Sequence, residues 1–303
     1  RQERQRVLTL LDEGRNAQAE AWLERWRDSF PDDAQVAGAL GLTRLRQGRH
    51  ADAEPLFVQA LALDADNANK WRSLVGTARY WKVLKEASLE RERKNFDLAF
   101  EKVRAAIAME PTNVEGLALH AGLLADTGDA LLAERHYLEG LQIEAGNGSA
   151  IRGLAGLLIL QKRWLEATAL LNRQGAASRE INGSFTYLRV GLLRDQADER
   201  ALQGKREQAI DLLQQALGMA PDNPWVRYDL AVLLRDIDPL RSQHVIEEGL
   251  RLAAQDGDMH YASALYFAKF DDPNAALRSL SRIPGDAMNE SIRRLQRRMT
   301  IQS

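Results

Sequence analysis

Five histidines, His50, His120, His136, His244 and His260, are the side chains best suited to holding a metal or moving a proton. None stands in an HExxH pattern or a comparable close ligand pair, so the sequence offers no metal-assisted hydrolysis. The acidic residues cluster in stretches such as DADN, EPTN and APDN and along polar helix faces. A glycosidase needs two carboxylates fixed on opposite sides of a sugar, and aspartates at helix ends do not supply that. GNGSAIRG, Gly146 to Gly153, has the glycines of a phosphate loop. It lacks a preceding strand and matches neither GxxxxGK[ST] nor GxGxxG. It reads as a capping turn, with Asn147 or Ser149 as the cap. Ser149 and Ser184 lack the surroundings of a nucleophile elbow. Cysteine is absent, which removes disulfides, thiolate nucleophiles and cysteine-ligated metals. The expectation is a protein without catalytic, cofactor-binding or metal-ligating residues.

The elements that carry these residues repeat. In GALGLTRLRQGRHADAEPLFVQALALDADN, Leu40-Gly41 sits on one helix and Gly48 at a turn. Ala53, Phe57 and Ala60 follow on a second helix. The same order returns with Ala121, Gly128, Ala133, Tyr137 and Gly140, and again with Gly204, Ala209, Leu213, Ala216 and Pro221. Small residues let two antiparallel helices approach, and one large residue fills the space between them. This is the pattern of the tetratricopeptide repeat (TPR). Weaker units follow Leu154, Leu230 and Ala264. The predicted fold is all-α, a TPR α-solenoid superhelix of about seven to eight helix pairs with a concave face. Pro or Asp closes one helix and Asp or Asn caps the next. No strand-like alternation persists.

Two places break the rhythm. From Gly48 to Gly128 there are 80 residues, two units of 34 and an insertion of 12. The insertion falls in NKWRSLVGTARYWKVLKEA, which predicts one helix from about Lys70 to Lys94. The second break is NRQGAASREING, Asn172 to Gly183, before another long helix. This predicts an N-terminal block at 1–171 and a hinge at 172–183 with Gly175, Ser178 and Gly183. A C-terminal block with a capping helix follows at 184–303.

On the long helix, Trp71, Leu74, Val75, Ala78 and Trp81 make a packing stripe. Arg72, Gly76, Arg79 and Lys82 lie on another face, with Tyr80 at its edge. From Lys70 to Arg104 ten basic residues oppose five acidic ones in a chain whose formal charge is −2. Arg72, Arg79, Tyr80, Trp81 and Lys82 are therefore the candidate contacts for a partner segment or a polymer. Overall charge gives no pull toward nucleic acid or anionic lipid. No apolar run reaches the roughly 18–20 residues of a membrane helix. A chain that opens on RQERQRVLTLL rather than Met reads as a processed or cut fragment.

Three stretches, in order, resemble the periplasmic TPR region of the bacterial cellulose synthase operon protein C family. They are ALALDADNANKWRSLVGTARYW, GNGSAIRGLAGLL and ALYFAKFDDPNAALRSLSRIPGDAMNESIRRLQ. The Lys70-Trp71 and Arg79-Tyr80-Trp81 pairings within a lengthened helix are the most specific of these. The resemblance implies a periplasmic, non-catalytic, monomeric scaffold with no cofactor. It also implies partners among the cellulose synthase complex proteins, and a C-terminal outer-membrane β-barrel in the full-length polypeptide. Contact with glucan or peptidoglycan is a further implication. The alternatives are a TPR assembly factor of another exopolysaccharide system and a general protein–protein adaptor.

Overall fold

A computed structural model describes residues 9–10, 13–175 and 184–303. Two of the expected hinge residues, Ser178 and Gly183, lie outside the described residues, and Gly175 is the last residue of a helix. The described residues contain α-helices, two short 3-10 turns and no strand. The chain divides into two compact units, Arg1–Gly153 and Leu154–Ser303.

The first unit holds α1 (Asn16–Ser29), α2 (Ala34–Arg46), α3 (His50–Leu63), α4 (Ala68–Glu92), α5 (Phe96–Met109), α6 (Val114–Asp126) and α7 (Ala130–Ile143). α8 (Gly148–Leu160) begins in this unit and ends in the second. The second unit continues with α9 (Trp164–Gly175), α10 (Ser184–Leu202), α11 (Arg206–Met219), α12 (Pro224–Leu234) and α13 (Pro239–Leu252). α14 (Gly257–Lys269), α15 (Pro273–Leu280) and α16 (Glu290–Gln302) close it.

Why the weaker repeats were hard to read is visible at the turns. Gly48 and Gly128 have φ of 73° and 95°, a region that glycine enters without steric cost. The equivalent residues of other pairs are Lys94, Lys162 and Asp271, at φ of 63°, 58° and 56°. The backbone bonding is nonetheless the same: Arg49 N–H donates to Arg44 O and Asn95 N–H to Glu90 O, each at 2.9 Å. Thirty-four residues separate Lys94 from Gly128 and Gly128 from Lys162, whereas 46 separate Gly48 from Lys94.

The surplus of 12 resides in α4, with 25 residues against 13 in α2 and in α6. The two halves of α4 pack into different cores. Trp71 and Ala78 pack with Ala37, Ala53, Phe57 and Ala60 of the preceding pair. Tyr80, Leu84 and Ala87 pack with Ala99, Val103, Ala106 and Leu123 of the following two. At about 100° per residue, Tyr80, Leu84 and Ala87 fall on roughly the opposite side of the helix from Trp71 and Ala78. The lengthened helix thus joins two cores whose faces point in different directions.

Caps follow the expectation at Asp33, Asn113 and Asn223, whose side chains accept N–H bonds of the next helix. DADN differs. Asn67 makes no side-chain cap to α4. Asp64 takes the structural role, accepting from the Asn67 side chain at 2.9 Å and from Trp71 Nε1 at 3.1 Å. A carboxylate that can satisfy the buried indole donor outweighs a cap that the helix can replace with water. α16 buries Ile292, Leu295 and Met299 against Ala276, Leu280 and Ile283 of the second unit.

Candidate functional site

The packing of α4 decides which expected contact residues face solvent. Arg72 is exposed and donates to Asn69 Oδ1 at 3.1 Å. Arg79 and Lys82 both reach back to Glu54 on α3, at 2.9 and 3.1 Å. Burial alone would raise the Glu54 carboxyl, but the bonds from Arg79 and Lys82 outweigh it and hold it below the usual range. Tyr80 is not at the edge of a contact face: its exposure is 0%. Its hydroxyl accepts the Gly116 backbone N–H at 3.0 Å, and burial pushes the phenol up to about 12. The expected face therefore serves mainly to fasten α4 to its neighbours.

Trp81 turns the other way. Its ring lies 6.0 Å from that of His50 at an interplanar angle of 26°. It is half-buried and lines an open cavity of about 670 Å³ in the first unit. Trp81, Leu84, Lys85 and Ser88 form one wall, at spacings of three, four and seven along α4. Glu115 and Leu119 of α6, Tyr137 of α7, and Ser149 and Arg152 at the start of α8 complete it.

The cavity combines an apolar floor with fixed polar groups. Arg91, also in its wall, donates to Asp126 at 2.6 Å, which raises its already high pKa. Lys85 makes one long hydrogen bond, to Gly48 O at 3.3 Å. Glu115 is held by Asn147 Nδ2 at 3.0 Å. Burial, followed by the charge on Lys85, pushes the His50 imidazole down from its ordinary value. Such a site offers an aromatic face with hydrogen-bond donors and acceptors around it, the usual equipment of a binding groove. The sequence signal was present: the spacing from Trp81 to Ser88 marks one helix face. Trp81 is among the contacts expected from the sequence; its neighbours Lys85 and Ser88 are not.

GNGSAIRG is the capping turn expected of it, with Asn147 as cap: its Oδ1 accepts from Ala150 N–H at 3.0 Å. The structure also joins two histidines that the sequence holds 16 residues apart. The rings of His120 and His136 lie 5.0 Å apart, and burial, then His136, depresses the His120 pKa. Among the described residues no group of three potential ligands could hold a metal ion.

Paired helices with one small and one large residue at their crossing, repeated at 34, define the class. The chain is a tetratricopeptide-repeat protein. The tetratricopeptide repeat family model matches residues 200–237. A tetratricopeptide repeat protein from Parabacteroides merdae has the same fold, with a TM-score of 0.52 at 12% identity over 88% of this chain and 98% of that one.

The sequence relatives are more particular. Cellulose synthase operon protein C of Xanthomonas axonopodis pv. citri is 32% identical over 267 residues, covering 87% of this chain and 17% of that protein. The Pseudomonas fluorescens protein of the same name is 28% identical over 288 residues, 92% of this chain and 22% of that one. The chain is thus a homologue of one segment of cellulose synthase operon protein C, and it spans about a fifth of the length of these relatives.

Proposed function

We propose that this chain is the periplasmic repeat segment of a cellulose-export protein. It acts as a non-catalytic scaffold between the inner-membrane synthase and the outer-membrane channel, with the channel barrel in the same polypeptide. The observation that carries the reading is similarity to cellulose synthase operon protein C along 87% of the chain. A stack of helix pairs suits the task, because each pair adds length and surface without needing the others to form a single core. The cavity lined by Trp81, Lys85, Ser88 and Arg152 is where glucan or a partner segment makes contact. Arg72, Arg79, Tyr80 and Lys82 support the helix that presents Trp81. Deleting residues 68–160 in frame from the full-length protein tests the reading. Secreted cellulose is expected to fall while synthase activity in isolated membranes persists; undiminished secretion refutes it.

A further inference from the structure

The second unit carries an apolar edge that its core does not use. Leu160 ends α8, Leu165 opens α9, Leu202 ends α10 and Leu240 opens α13. Their exposures are 84%, 88%, 83% and 82%, and Ile237 beside Leu240 is 55% exposed. All five flank the turn between the two helices of a pair. Ion pairs tie successive turns together. Lys162 reaches Glu199 at 3.0 Å, and Arg206 reaches Asp236 at 3.2 Å. The aliphatic tips sit at three consecutive turns that these ion pairs join into one ridge.

We propose that this ridge is a membrane-contact edge that inserts its aliphatic tips among lipid headgroups. Three observations select a lipid surface. First, the four leucine tips sit at helix ends beside turns and are 82–88% exposed, so a peptide laid there would be covered on one side only. A bilayer surface surrounds each tip. Second, the area is small. A leucine side chain offers roughly 60–120 Å² of apolar surface. Five such residues fall short of the ~800 Å² per partner of a standard protein interface. Third, long cationic side chains flank the tips in each turn: LQKRWL at 160–165, LQGKR at 202–206 and IDPLR at 237–241. Lys205 and Arg241 make no ion pair among the described residues. Such side chains lay their carbon stems along an apolar phase and keep the charge at the headgroups. The inference does not rest on the cellulose reading.

Flotation of the 303-residue protein with vesicles of phosphatidylcholine and phosphatidylglycerol tests it. The protein is expected to float, more weakly with phosphatidylcholine alone. The triple variant Leu160→Glu, Leu165→Glu, Leu202→Glu is expected to lose at least about tenfold in vesicle affinity. All three side chains are exposed, so the variant keeps its helical circular dichroism. Tyr187→Glu is the control. Tyr187 is 76% exposed near the other end of α10, roughly 22 Å from Leu202, and its variant is expected to float as the parent does. A parent that stays unbound, a triple variant that floats equally, or a dimer that the triple variant abolishes would each overturn the proposal.

Discussion

The indole of Trp71 lies directly over Gly38, so close that a methyl group there would overlap its outer ring atoms. The lengthened helix is locked to the preceding pair through this contact, and Trp71 is 1% exposed. Gly38→Ala must displace a buried indole that also donates to Asp64. It is expected to cost about 1–3 kcal/mol in urea unfolding. Gly76, on the exposed side of the same helix, has no neighbour within 4 Å. Gly76→Ala is expected to stabilise by roughly 0.5–1 kcal/mol. The opposite signs separate packing from helix propensity.

The same contact indicates how far the sequence could be read. Trp71 and Ala78 could be assigned to the core because their spacing is local. Tyr80 could not, since its burial depends on Gly116, 36 residues away. Arg79 and Lys82 looked like a free basic face because their partner Glu54 belongs to the preceding helix. The length of α4 was predictable from the 12-residue surplus. That one helix joins two cores was not, because a helical wheel drawn over its whole length averages two packing faces on roughly opposite sides of the helix.

Tyr80→Phe tests the buried phenol. It leaves the Gly116 N–H without its acceptor, at an expected cost of about 1–2 kcal/mol. The parent also has an alkaline signature. The folded phenol titrates at about 12, above the ~10 of an unfolded tyrosine. Its contribution is therefore complete below pH ~10 and is lost as pH rises toward 12. Thermal melts from pH 8 upward should show the stability gap between parent and Tyr80→Phe narrowing across that window. A constant gap would place the hydroxyl in solvent.

Glu54 makes the opposite prediction at acid pH. Its folded pKa is lowered, so its contribution is present above the ordinary carboxylate value and lost as pH falls through the folded one. Arg79→Ala and Lys82→Ala, each removing one partner of a half-exposed ion pair, should each cost about 0.5–1 kcal/mol at pH 7. The cost should shrink in acid. Urea midpoints at neutral and acid pH measure it. If these two arginine and lysine side chains instead meet a ligand directly, the substitutions would leave stability unchanged.

Glucan in the cavity of the first unit would lie against the Trp81 ring. Cellohexaose titrated into the protein is expected to change tryptophan fluorescence, and Trp81→Phe should abolish most of the change. Arg72→Ala should leave it intact, since Arg72 does not line the cavity. A response that survives Trp81→Phe would move the site elsewhere.

The most direct test of the scaffold reading is the ratio of secreted to total glucan in cells. The full-length protein would carry Trp81→Ala with Lys85→Glu, at unchanged protein level and membrane synthase activity. A severalfold fall in that ratio is the predicted result. A ratio equal to that of the parent would contradict a role for this segment in guiding cellulose outward.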